Sequence, residues 1–113
     1  MGVALREQVR QAAISVSGIG DNTIVTGVAG KIITVVALML TNGVATAQSV
    51  IIKDGTGGTA LSGAMALSTT GNPFILPPDP TVDWYQLGAA GNALVLNLSA
   101  ATLVAGTVWY VQN

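Results

Sequence analysis

The sequence predicts an all-β fold: a sandwich or barrel of about eight or nine short antiparallel strands behind an N-terminal arm. Three observations lead there. Apolar residues alternate with polar ones in several short runs, the longest apolar run is rich in β-branched residues, and Gly, Pro, Asn and Asp interrupt the chain at short intervals. No stretch after residue 12 carries a helical period. The chain of 113 residues suits one domain, with residues 1–10 as a separable arm and 11–113 as the β unit.

The stretch from Lys31 to Lys53, "KIITVVALMLTNGVATAQSVIIK", has no charge between its two lysines. A membrane-spanning helix needs about 20 mostly apolar residues, so length alone permits one. The interior argues for strands. Thr41-Asn42-Gly43 stands in the middle, and Asn-Gly is a strong two-residue turn signal because both residues accept positive φ. The flanking β-branched residues fit a pleated surface better than a helix. The expectation is an antiparallel hairpin of about Lys31–Leu40 and Ala47–Asp54. Strict alternation puts Ile32, Thr34, Val36, Leu38 and Leu40 on one face of the first strand. Ile33, Val35, Ala37 and Met39 fall on the other. Two apolar faces require a cover on both sides.

The other elements follow from the same patterns. "QAAISVS" (11–17) alternates as a half-buried strand, and Gly18, Gly20, Asp21 and Asn22 turn the chain. "TIVTGVAGK" gives a short strand and a turn at Gly30. "DGTGGT" (54–59) is a compact loop, and "ALSGAMALSTTG" reads as short strands broken at Gly63 and Gly71. "PFIL" is a brief extended piece before the rigid "PPDP" loop at 77–80, where proline cannot donate to a ladder. Short strands follow at about Trp84–Leu87, at "ALVLNLS" with Leu94, Leu96 and Leu98 inward, and at about Thr107–Gln112.

Composition narrows the chemistry. Charged residues make up 8% of the chain, against about 25% in ordinary globular proteins, and there is no His or Cys. Disulfides and thiolate chemistry are therefore excluded, and zinc or copper sites lose their usual ligands. The net charge of −1 without a basic run argues against a phosphate-tracking nucleic-acid surface. "MGVALREQVRQAA" lacks the apolar core of a signal peptide, and Arg6 occupies the Ser/Thr position of the myristoylation pattern. The expectation is a soluble intracellular product.

Acid–base candidates reduce to Glu7, Asp21, Asp54, Asp79, Asp83, Lys31 and Lys53. Asp79 and Asp83 read as solvated loop acids rather than a paired-carboxylate site. The glycines of "KDGTGGT" offer N–H groups to an anion but lack the P-loop spacing, and Asp21, Asn22 and Asp54 match no calcium loop. No enzymatic activity, metal or cofactor is expected. Trp84-Tyr85 and Trp109-Tyr110 hold four of the five aromatic residues. Neighbours on a strand point opposite ways, so each pair can place one ring in the core and one at a contact surface.

Three segments carry a resemblance: "TIVTGVAGKIITVVALML", "LSGAMAL" and "GNALVLNLSAATLVAGTVWYV". Together, over about residues 23–111, they resemble a group of small tailed-phage and prophage virion proteins. Thr34, where a basic residue is common, and the loop "LPPDPTVDWYQL" depart from that pattern. The resemblance implies a jelly-roll-like sandwich without enzymatic activity. It also implies a capsid decoration (cement) protein, made in the bacterial host cytoplasm, that sits as a homotrimer on the major capsid protein at capsomer junctions. Neither nucleic acid nor membrane is an expected partner. The expected contacts to capsid or neighbouring subunit are Val3, Leu5, Arg6, Val9 and Arg10 in the arm, with Trp109, Tyr110 and outward positions of the long strand. The alternative is a tail appendage contacting a host glycan through Trp84 and Tyr85.

Overall fold

The computed structural model describes residues 8–113. Ten strands follow one another: β1 (Arg10–Val16), β2 (Gly20–Val25), β3 (Ile33–Asn42), β4 (Ser49–Asp54), β5 (Thr59–Ala60), β6 (Met65–Ala66), β7 (Phe74–Leu76), β8 (Tyr85–Gln86), β9 (Leu94–Leu98) and β10 (Val104–Gln112). They form two antiparallel sheets packed as a sandwich. The first has the order β1-β10-β3, with both β7 and β8 on the far side of β3. The second has the order β2-β9-β4, with both β5 and β6 on the far side of β4. Each sheet thus ends in one longer edge strand and one broken into two short pieces. The expected arm lies mostly outside the described residues, and its last residue, Arg10, already opens β1.

Period-two patterning selects the core. β9 turns Leu94, Leu96 and Leu98 inward, and β4 adds Val50 and Ile52. From the first sheet come Ile14, Val104 and Val108, with Ile33, Val35, Leu38 and Leu40 of β3. Each such aliphatic side chain contributes roughly 1.5–3 kcal/mol on leaving water. That transfer term, summed over the two inner faces, is the main force holding the sheets together.

Two expectations about the long apolar run are corrected. β3 and β4 are strands, but they do not form a hairpin. β3 pairs with β10, β7 and β8, whereas β4 pairs with β9, β5 and β6. Residues 43–48 therefore cross from one sheet to the other. Neither Asn42 nor Gly43 has a positive φ, so the primed turn that Asn-Gly suggests is absent. Both residues serve other ends. The Asn42 side chain donates Nδ2–H to the Thr46 carbonyl at 2.7 Å and accepts from the Val44 N–H at 3.2 Å. Gly43 packs so closely on Leu103 that a Cβ would lie 2.8 Å from its side chain. Residues 32–52 are thus strand and arch, and among the described residues no helix is long and apolar enough to cross a membrane.

The second correction concerns the faces of β3. Trp109 lies opposite Ala37 and Tyr110 opposite Val35, so Val36 is an extra residue in the ladder. This bulge breaks the alternation. Ile33 and Val35 face the core from below it and Leu38 and Leu40 from above it, which mixes the two predicted sets. Both faces of β3 are nevertheless covered from Ile33 to Leu38, as two apolar faces require.

The arch is fastened by one buried amide. Gln48 donates Nε2–H to the carbonyls of Ala100 at 2.7 Å and Thr102 at 3.3 Å, and to Thr102 Oγ1 at 3.0 Å. Its Oε1 accepts from the N–H groups of Ser99 (2.9 Å) and Ala100 (3.0 Å) and from Ser99 Oγ. Gln48, itself buried, thus bonds with both its amide atoms to the backbone of the β9–β10 turn. Gln48→Ala is expected to lower stability by about 1–3 kcal/mol, since several hydrogen bonds between a buried amide and a half-buried turn are lost at once. Leu96→Ala is expected to cost a similar amount, about 2–5 kcal/mol, through the cavity it leaves. Urea unfolding followed by tryptophan fluorescence measures both.

Candidate interaction surface

The two outer faces of the sandwich differ in kind. On the second sheet, alternation turns Asp21, Asn97, Ile51 and Lys53 outward. The Asp21 carboxylate accepts from Asn97 Nδ2 at 2.7 Å, from the Gly57 N–H at 2.6 Å and from Lys53 Nζ at 3.1 Å. The glycine-rich 54–59 loop does present an N–H to an anion, and that anion is the chain's own carboxylate. These bonds hold the Asp21 carboxyl at about 2 against an ordinary 3.8, the Asn97 amide being the largest cause, then Gly57 and Lys53. Asp54 is bound elsewhere, accepting from the Gly88 N–H at 2.7 Å and Asn92 Nδ2 at 2.8 Å. Among the described residues no group of three or more carboxylates gathers to hold a metal ion.

The outer face of the first sheet carries no charge on its strands. One cross-strand row runs Ala13, Thr107, Met39, Ile75, and the next runs Gln11, Trp109, Ala37. Along these rows the small side chains of Ala13, Thr107 and Ala37 lie beside the larger Met39, Ile75 and Trp109. Gly106 beside Thr107 is close-packed, since a Cβ there would collide with the backbone carbonyl of Met39. Toward the chain's N-terminal side, Val9, Val36, Ala37, Pro78 and Trp109 line an apolar pocket of about 230 Å³.

A second uncharged region is the end of the sandwich where β1 leads into β2. The register puts Val16, Val104 and Asn42 at one level, and Gly20, Leu98 and Val50 at the same end of the other sheet. Residues 17–19, 43–48 and 99–103 cap this end, and none is charged. Three aliphatic side chains stand out of it: Ile19 is 69% exposed, Val44 41% and Leu103 39%. Val44 and Leu103 are neighbours through the Gly43 N–H bond to the Leu103 carbonyl.

The residues named from the sequence scatter over this framework. Val3, Leu5 and Arg6 lie outside the described residues. Val9 and Trp109 meet in the apolar pocket. Arg10 opens β1 opposite Tyr110, whose ring packs on the core, so the Trp109-Tyr110 pair divides as its alternation predicts. Trp84 and Tyr85 both pack against the core. The Trp84 indole N–H donates to the Pro77 carbonyl at 2.7 Å and closes the proline-rich loop. Ile19, Val44 and Leu103 escaped the sequence reading. Each is a single apolar residue in a different turn, and no local period links them.

Among known proteins, no family model, no curated protein and no solved structure matches this chain.

The Asp21 cluster makes stability depend on acid. Its folded carboxyl titrates near 2 and the unfolded one near 3.8, so its contribution is present above about pH 4 and drains away as pH falls toward 2. Asp21→Asn should flatten this part of the profile, and Asn97→Ala should flatten it partly. Urea midpoints measured from pH 6 to pH 2 test the sign. In the first sheet, Gly106→Val should destabilise by about 2 kcal/mol or more, because the β10–β3 ladder must open around the new side chain. Thermal unfolding reads that loss.

Proposed function

We propose that this protein is a non-enzymatic structural component of a tailed-phage particle, a decoration protein that binds the head at capsomer junctions. The observation that carries the reading is the segregation of charge. The ion-paired carboxylate cluster sits on the outer face of one sheet, while the strands of the other outer face and the loops at one end of the sandwich carry no charge and expose aliphatic side chains. Such patches mark contact with other proteins rather than with water. Strand order supports the jelly-roll reading that comes with the resemblance: β1 to β4 alternate between sheets, and β10 and β9 return to lie between β1 and β3 and between β2 and β4.

In this role the protein acts by area. A contact of about 400 Å² contributes on the order of 10 kcal/mol at about 25 cal/mol per Å², before the cost of docking is subtracted. Many copies engaged on one shell multiply the effect through effective concentration. The partners are the major capsid protein and further copies of this chain as a trimer, and the place is the capsid surface. Less supports a glycan-binding appendage, because the Trp84 indole N–H is engaged with Pro77 and its ring leans on the core.

The test is addition of purified protein to phage heads that lack it, followed by heating or transfer to low salt. Co-sedimentation with the heads and a higher temperature of DNA release are expected. Heads that neither bind the protein nor gain resistance would refute the assignment. Binding to glycans that Trp84→Ala abolishes would favour the appendage instead.

A further inference from the structure

We infer that Asn42-Gly43 is a self-modifying site gated by the arch it closes. The Asn42 amide is lost to deamidation only when residues 43–48 open, and the product keeps them from closing again. Nothing in this depends on the decoration reading.

This is the one Asn-Gly pair in the chain, and the turn expected of it does not form. Asn-Gly is the dipeptide most open to deamidation, since glycine has no Cβ to shield its backbone nitrogen. That nitrogen attacks Cγ of the asparagine side chain. The N–Cγ bond forms and the Cγ–Nδ2 bond breaks. Nδ2 leaves as ammonia, taking up the proton that the Gly43 nitrogen gives up. Water then opens the cyclic imide at either carbonyl and leaves aspartate or isoaspartate. The net change is a water consumed and an ammonia released.

The closed arch withholds the nucleophile. Gly43 donates its N–H to the Leu103 carbonyl at 2.8 Å, and Asn42 is held in the extended ladder opposite Val104. Ring closure needs that N–H released and the nitrogen turned toward Cγ, so the residue must leave the extended region first. The amide end is held as well, with Nδ2 bonded to the Thr46 carbonyl at 2.7 Å. The Val44 N–H on Oδ1, at 3.2 Å, draws electrons from Cγ and favours attack. The fold therefore stops the reaction at the nitrogen and not at the carbon. The rate in the folded chain follows the fraction of molecules whose arch stands open.

The product does not fit the closed arch. Asn42 is only 7% exposed, so a carboxylate there is largely stripped of water. It has no proton to give the Thr46 carbonyl and faces it as a second acceptor. Isoaspartate adds a backbone atom ahead of Gly43, where even a Cβ would lie 2.8 Å from the Leu103 side chain. Loss of ammonia makes the change one-way.

The full chain is incubated in mildly alkaline buffer, folded and in guanidinium chloride, and peptide mass mapping follows the one-dalton gain at residue 42. Deamidation should run at least about tenfold slower in the folded chain, where only local opening exposes the site. Gln48→Ala, with far-UV circular dichroism confirming its β spectrum, should speed it in the folded state by at least about fivefold, because Gln48 fastens the arch. Chains aged in guanidinium chloride and refolded should unfold at lower denaturant than fresh ones, and Asn42→Asp should do the same. Equal rates in folded and unfolded chains overturn the gating, as does a folded Gln48→Ala that reacts no faster than wild type. Aged and Asn42→Asp chains with an unchanged midpoint overturn the claim that the product keeps the arch open.

Discussion

The structure depends on β3, a strand that must be covered on both faces and hydrogen-bonded on both sides. From Ile33 to Leu38 it is buried throughout. A single layer cannot do that, so the chain must build a second sheet over one face and lay side chains and the proline-rich loop over the other. β10 fills one side of its ladder, and β7 and β8 share the other. The bulge at Val36 lets one strand serve both halves of this arrangement. It redirects the inward set from Ile33 and Val35 to Leu38 and Leu40, so a long strand keeps its aliphatic side chains on a twisted core.

A chain that alternates between sheets needs many turns at the ends of the sandwich, and each turn leaves backbone groups to satisfy. With few charges available, this protein satisfies them mainly with amides. Gln48 fastens the β9–β10 turn, Asn42 closes the arch beside it, and Asn92 and Asn97 each donate to a carboxylate. Asp21 and Asp54 are drawn into this work as well, and each is surrounded by donors from separate segments. The Gln48 and Asn42 corners use no titratable side chain. The Asp21 cluster loses its contribution as pH falls below about 4. Such a scaffold satisfies its turns while leaving the strands of one outer face without charge.

Much of this was legible in the residues. The β class, the inward Leu94, Leu96 and Leu98, the opposed Trp109 and Tyr110 and the tight 54–59 loop all follow from local alternation and turn chemistry. So does the need to cover the long strand twice. The hairpin at Asn42-Gly43 was misleading for a physical reason. Asn and Gly favour turns of positive φ, but the same residues also serve where a side-chain amide must close an arch or a backbone must approach a neighbour closely, and here they do the latter. The uncharged end was invisible because its three aliphatic residues sit some 25 and 59 positions apart along the chain (Ile19 to Val44, Val44 to Leu103).

By itself, the sequence determined that the chain would be pleated, that its chemistry would lack thiols and imidazoles, and which residues alternate inward along each strand. These are local properties, set by composition and by the two-residue period of a strand. The tertiary structure alone decided which sheet each strand joins, where the ladder slips by one residue, and which distant side chains share a surface. Those outcomes depend on pairing between segments far apart in the chain, and neither period nor propensity encodes the choice of partner.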